Sequence, residues 1–144
     1  MELQTVQQNA RIALDARLHV RGERWGLRPA LKMALESPAQ YQVHLHYEDE
    51  KPVAVFLVKH SCAQLKPTNC LGVQMYVRRA YRRKGIASRL IQGFVDPHPR
   101  GKVRQMRATR GRPGSAEFWR KHDVRPWYCP KNMKKEDWHT EDYT

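Results

Sequence analysis

Only three cysteines, Cys62, Cys70 and Cys129, occur in 144 residues, an odd number with no C-x-x-C pair. That argues against a disulfide framework and against a structural zinc site, and no metal is expected. With no partner close in sequence, the three read as small packed residues rather than nucleophiles. Long apolar runs are also missing. None approaches the ~20 residues of a membrane span, and no signal-peptide pattern opens the chain. The expectation is a cytoplasmic protein with no membrane partner. Aromatic residues, by contrast, are present in number. Four Trp, six Tyr and three Phe argue for a folded chain even though the mean hydropathy is -0.81 and 28% of residues are charged. The length suits a single domain spanning 1–144.

Acidic residues are scarce in one third of the chain. Residues 1–77 carry nine basic and seven acidic side chains, residues 78–125 carry fifteen and three, and residues 126–144 carry three and four. Nearly all of the net +13 therefore falls in the middle segment. A surface charged only for solubility would spread its excess. A concentrated one points to an anion-binding region.

Apolar spacing predicts an amphipathic helix over 3–20, from Leu3, Val6, Ala10, Ala13, Leu14 and Leu18, and a second one through Leu27, Leu31, Ala34 and Leu35, stopped by Ser37-Pro38. Tyr41, Val43, Leu45 and Tyr47 alternate with polar residues as in a half-buried strand. Val53–Val58 is a continuous β-branched run suited to a central strand, and the charged turn between the two predicts an antiparallel hairpin. Leu71–Val77 is a third strand, followed by a basic turn and a helix from Gly85 to Val95 whose inner face is Ile86, Ala87, Leu90, Ile91 and Phe94. A fourth strand over 102–109, a loop at Gly111–Gly114, a short helix from Ser115 to His122 and a last strand over Val124–Cys129 complete the order. The helical part is thus 1–40, the core sheet 41–129, and 130–144 a polar, peripheral tail.

Most of the chemistry lies in VQMYVRRAYRRKGIASRLIQGF, residues 73–94. A strand runs into a basic, glycine-containing turn and then a helix. The first amides of such a helix have no intrahelical partner, and the helix dipole adds positive potential at the same place. The junction suits a pyrophosphate. Gly85 lets a ligand approach the backbone, Ala87 keeps the second close position small, and Arg82, Arg83 and Lys84 add charge.

Arg82-Arg83-Lys84-Gly85-Ile86-Ala87 resembles the R/Q-x-x-G-x-G/A signature of the GNAT N-acetyltransferases, with the strand before it, the aromatic Tyr81 and the apolar helix after it in the family's order. Phe118-Trp119-Arg120-Lys121-His122-Asp123-Val124 is similar to that family's F-Y-x-K-x-G-F segment. The resemblance covers roughly 41–128. It implies an α/β fold with a mixed, mostly antiparallel central sheet flanked by helices, although the family's first strand is not evident. It also implies acetyl-CoA as co-substrate. The coenzyme's diphosphate would fall to Arg82, Arg83, Lys84, Gly85, Ile86, Ala87 and Ser88, and its pantetheine arm to the backbone of Met75, Tyr76 and Val77.

The resemblance departs where catalysis is concerned. Trp119 stands where many members have a Tyr that protonates the leaving thiolate, Arg112 where an Asn is common, and Asp123 where Gly is usual. Residues 69–77 hold no Asp, Glu or His to act as base. His60, His44 and His46 are candidates by pKa, each also readable as a strand-surface histidine. Ser115 is a candidate to hydrogen-bond the leaving sulfur or to cap its helix. Trp25, Trp119, Trp127 and Tyr128 read as packing aromatics that could also stack on bases. The basic residues Arg100, Lys102, Arg104, Arg107, Arg110 and Arg112 alternate through the fourth strand and exceed what coenzyme phosphates need. They point to an anionic acceptor, an acidic protein or a nucleic acid. The function implied is acetyl transfer from acetyl-CoA to a primary amine on such an acceptor. The alternatives are a non-catalytic scaffold of the same fold with a structural, assembly or inhibitory role, and a basic nucleic-acid-binding module.

Overall fold

The computed structural model describes residues 1–21, 26–60, 70–96, 105–108, 115–126, 133–138 and 143. Expectations for Trp25, Cys62, Arg100, Lys102, Arg104, Arg110, Gly111–Gly114, Trp127, Tyr128 and Cys129 concern residues outside these, as does the position of Arg112.

Helix α1 spans Leu3–Asp15 and α2 spans Leu27–Glu36. Strands β1 (Tyr41–Glu48), β2 (Lys51–Lys59) and β3 (Cys70–Val77) follow, then α3 (Ile86–Val95), β4 (Gln105–Ala108), α4 (Ser115–Lys121) and β5 (Arg125–Pro126). The sheet order is β1-β2-β3-β4-β5. β2 pairs antiparallel with β1 and with β3, while β3–β4 and β4–β5 are parallel and short. The sheet is therefore mixed, and its long pairings are antiparallel.

β2 is central because every residue from Val53 to Val58 is buried. Its two faces serve two cores. Val55 and Leu57, with Tyr41 and Val43, meet α1 and α2 through Val6, Ala10, Leu31 and Ala34. Phe56 and Val58, with Leu71 and Val73, meet α3 and α4 through Ile91, Phe94 and Trp119. Period-2 alternation sorts the strand side chains between these layers.

Three local details depart from expectation. The first helix stops at Asp15, not near residue 20. Arg17 takes φ +56, its amide bonds to Leu14 O at 3.0 Å and that of Leu18 bonds to Ala13 O at 2.9 Å, which closes the helix in a Schellman arrangement. Tyr47 is exposed rather than inward because the β1–β2 register shifts between His46 and Tyr47. The C-terminal tail is not merely peripheral. Trp138 is buried, and Tyr143 is 1% exposed, packing in the α3–α4 core and donating from its hydroxyl to Val124 O at 2.6 Å.

Candidate functional site

β1 and β3 both run antiparallel to β2, so they end on the same edge of the sheet, and the basic turn springs from that edge. Arg78 builds the exit from β3. Its amide donates to Val53 O at 2.8 Å, its Nε to Pro52 O at 3.3 Å and its Nη2 to Ala16 O at 2.8 Å. The guanidinium sits on a carbonyl at the end of α1, where the helix dipole favours a cation. A single 3-10 turn, Arg79–Tyr81, follows.

Arg82 then folds back. Its Nε donates to Val77 O at 2.8 Å and its guanidinium lies 5.5 Å from the centre of the Tyr76 ring. Two residues next adopt left-handed backbone, Arg83 at φ +64 and Gly85 at φ +79. Gly85 is the N-cap of α3, and no side chain caps that helix among the described residues. The first helical bond runs from Arg89 N to Gly85 O at 3.0 Å, so the amides of Ile86, Ala87 and Ser88 precede it. A Cβ at Gly85 would lie 3.5 Å from Arg89 Nη1, an ordinary contact. Backbone strain at positive φ, not lack of room, is what calls for glycine here. Arg83, Lys84 and Arg89 are exposed around the turn, whereas Arg78 and Arg82 spend their side chains building it.

Beside the turn the sheet divides. β3 pairs with β2 as far as Val77, but with β4 only over Cys70–Gly72 against Gln105–Arg107 among the described residues. Every strand has main-chain groups pointing to both sides. Val73–Val77 lie beyond the β3–β4 ladder among the described residues. Met75 leans on the α3–α4 core and Tyr76 on the α1–α2 core. Met75, Tyr76 and Val77 end β3, and residues 82–88 follow the 3-10 turn into the start of α3.

α4 lies on the far side of this division. Its C-terminus is another Schellman closure. Asp123 takes φ +60, its amide bonds to Arg120 O at 3.1 Å, and Val124 N bonds to Trp119 O at 2.9 Å. The position that the resemblance gives to Gly is left-handed here too, and Asp tolerates that conformation better than most residues. Lys135 Nζ holds the Asp123 carboxylate at 2.6 Å. Trp119 is 5% exposed and packs with Val124 and Tyr143. α4 begins at Ser115 itself, whose Oγ is buried with no hydrogen-bond partner among the described residues.

His122, which sequence reasoning did not single out, comes to the first turn of α3. Its Nε2 and Ser88 Oγ share a hydrogen bond of 3.0 Å, and the Phe118 ring packs 4.8 Å from the imidazole. Burial, aided by Lys121 and Lys135 and opposed by Asp123, lowers its pKa below the usual histidine value. A motif search has no means to find this pair, since 34 residues separate its members.

The three histidines that are candidates for the base lie on or next to β1 and β2. His44 lies against Phe56 and Phe94, with ring centres 6.2 and 6.1 Å away, and shares a 2.8 Å bond with Gln42. Burial lowers its pKa first, then the N-terminus and His60. His46 bonds Glu48 at 2.9 Å. The His46 hydrogen bond leads in lowering the Glu48 pKa, with smaller contributions from the charges of Arg89 and Lys84. Both histidines are on β1, about 10 Å from β3 across β2. His60 is past the other end of β2, its amide bonded to Gln40 O at 2.8 Å. Arg107, expected along a basic strand face, is only 3% exposed and lies inside the sheet. Among the described residues no group of His, Cys, Asp and Glu could hold a metal ion, and no helix is long and apolar enough to cross a membrane.

Residues 11–123 match the model of the Acetyltransferase (GNAT) family. The chain belongs to that family. Among curated proteins no sequence matches it. Solved structures agree on the fold. A glucosamine-6-phosphate N-acetyltransferase from Arabidopsis thaliana superposes with a TM-score of 0.55 at 13% identity, covering 93% of this chain and 94% of the other. A ribosomal-protein-alanine N-acetyltransferase from Brucella melitensis biovar Abortus 2308 gives 0.54 at 15% identity, with 93% and 95% covered. A protein described as a predicted acetyltransferase from Clostridium acetobutylicum, solved with acetyl-CoA, gives 0.55 at 10% identity, with 96% of each chain covered. At such identities the likeness concerns the fold alone.

Proposed function

We propose that the protein transfers an acetyl group from acetyl-CoA to a primary amine, on an acceptor that is macromolecular or anionic. One observation carries the reading. In a chain of the GNAT family, the left-handed, uncapped, cation-flanked entry to α3 follows the end of β3 that runs on past its ladder with β4 among the described residues. The backbone of Arg82, Arg83, Lys84, Gly85, Ile86, Ala87 and Ser88 fits a diphosphate, with Arg83, Lys84 and Arg89 supplying charge. The β4-side groups of Met75, Tyr76 and Val77 fit the amides of a pantetheine arm. Bound there, acetyl-CoA supplies a thioester open to direct attack by an amine. The chain's own part is to hold the reactants close and to polarise the carbonyl with a main-chain N–H. A base on β3 is not required if water carries the amine proton away. The basic excess of residues 78–125 beyond the cations of the turn favours an acceptor with negative charge, an acidic protein or a nucleic acid.

Titration calorimetry with acetyl-CoA tests the site. Gly85→Glu sets a carboxylate against the phosphates and should abolish detectable binding, while Gly85→Ala, which carries the same backbone strain, should retain part of it. Equal binding by both variants would remove the turn from the reading. Acetyl-CoA bound with neither hydrolysis nor transfer to any amine would make the protein a coenzyme-binding scaffold instead.

A further inference from the structure

We infer that His122 is a positioning residue for the coenzyme turn, acting through Ser88. The inference rests on the proposed coenzyme site and names how that site is kept in shape. Ser88 is the third residue of α3, in the turn whose amides precede the first helical bond. A serine there has a competing option. Its hydroxyl can fold back onto a carbonyl three or four residues earlier, which bends the turn. Those carbonyls belong to Gly85 and Lys84, the centre of the proposed phosphate site. His122 Nε2 holds Ser88 Oγ at 3.0 Å and takes it out of that competition.

The histidine is itself held. Phe118 packs on its ring, and the left-handed Asp123, tied to Lys135, fixes the end of α4 from which it projects. The bond also joins two parts of the molecule that the sheet does not join at this level. α3 packs over β2 and β3, whereas α4 leads into β5 beyond the point where β3 and β4 stop pairing among the described residues. His122 and Ser88 therefore set the relation between the coenzyme turn and the opposite wall.

A double-mutant cycle on CoA affinity tests this. Dissociation constants are measured by calorimetry for wild type, Ser88→Ala, His122→Ala and the double variant. His122→Ala should weaken CoA binding about fivefold, the worth of a typical hydrogen bond, and should have little further effect once Ser88 is Ala. With the amine saturating and acetyl-CoA varied, KM for acetyl-CoA should rise while kcat holds. Additive effects, or unchanged affinity in His122→Ala, would overturn the inference while leaving the coenzyme site standing. Failure of wild type to bind CoA would remove the site itself. If His122→Ala does not fold, the imidazole nitrogen resonances of His122 in wild type and in Ser88→Ala decide. They should move on CoA addition in the first, and should differ between the two in the absence of ligand. Identical spectra would overturn the inference.

Discussion

The part of the sheet formed by β1, β2 and β3 and the part formed by β4 and β5 share an apolar core but differ in how much strand pairing supports it. In the first, strands of eight and nine residues share a nearly continuous ladder, and β2 buries both faces. Stability there comes from apolar area and close packing. In the second, strands of four and two residues offer little ladder. Met106, Ala108, Trp119 and Val124 share the α3–α4 core, and individual polar clips add to that packing. Tyr143 hydroxyl donates to Val124 O, Arg125 Nη1 donates to Met133 O at 3.1 Å, and Lys135 ties Asp123. The turn and α3 belong to the first part, and the wall facing them belongs to the second. A site at such a boundary gains one rigid side and one adjustable side, which suits a long ligand that must enter and leave.

The largest effect should come from the rigid side. Phe56 is fully buried and meets Phe94 edge-on at 5.8 Å as well as His44. Phe56→Ala should cost about 3–5 kcal/mol, a large share of the stability of a domain this size. Urea unfolding measures it. A loss under about 1 kcal/mol would mean that the core collapses around the deletion and is not close-packed. Hydrogen exchange should show protection falling throughout, because the first part cannot open without the second.

Tyr143→Phe attacks the other side and should do less. It keeps the ring in the core but removes the 2.6 Å bond to Val124 O, leaving a carbonyl in a buried setting. The expected cost is about 1–2 kcal/mol. Its distribution is the informative part. Amides of α4 and β5 should exchange faster while those of β2 barely change. Uniform loss of protection would show the two parts to be one cooperative unit and would end the comparison.

The same division governs what the chain made legible. β2 was readable because a run of β-branched residues fits few other places. α3 and its turn were readable because apolar spacing, a glycine and a charge run coincide there. The closure of α1 was not, since nothing about Arg17 signals that the helix ends two residues earlier, whereas the hairpin turn was legible from its charge run although it uses Asp49 at φ +49 and Glu50 at φ +65 in place of Asn-Gly. Nor does a polar tail advertise that Tyr143 fills a core position. The candidate turn could be read from residues 82–88 alone, since its chemistry is main-chain and local. The open roles of His44, His46 and His60 and the unforeseen His122 share a cause. A histidine's role depends on which distant atom it meets, and that is settled by strand order and helix packing, not by its neighbours in sequence.

The smallest effect is one of pH, and it too separates the parts. His44, on the rigid side, is kept largely neutral by burial against Phe56 and Phe94, so its folded pKa lies below the unfolded value near 6.5. As pH falls through that value the unfolded chain takes up a proton that the folded chain resists. The unfolded state then binds more protons, and stability declines with acidification until the lowered folded pKa is reached. His122 adds a decline of the same sign from the other side. His44→Phe, which suits the aromatic surroundings, should remove the first contribution and leave the second. Urea midpoints from pH 7 downward should therefore fall less steeply in the variant than in wild type. An unchanged slope would mean that His44 gains a proton as easily inside the fold as outside it, and that the α3 side of β1 is wetter than its packing implies.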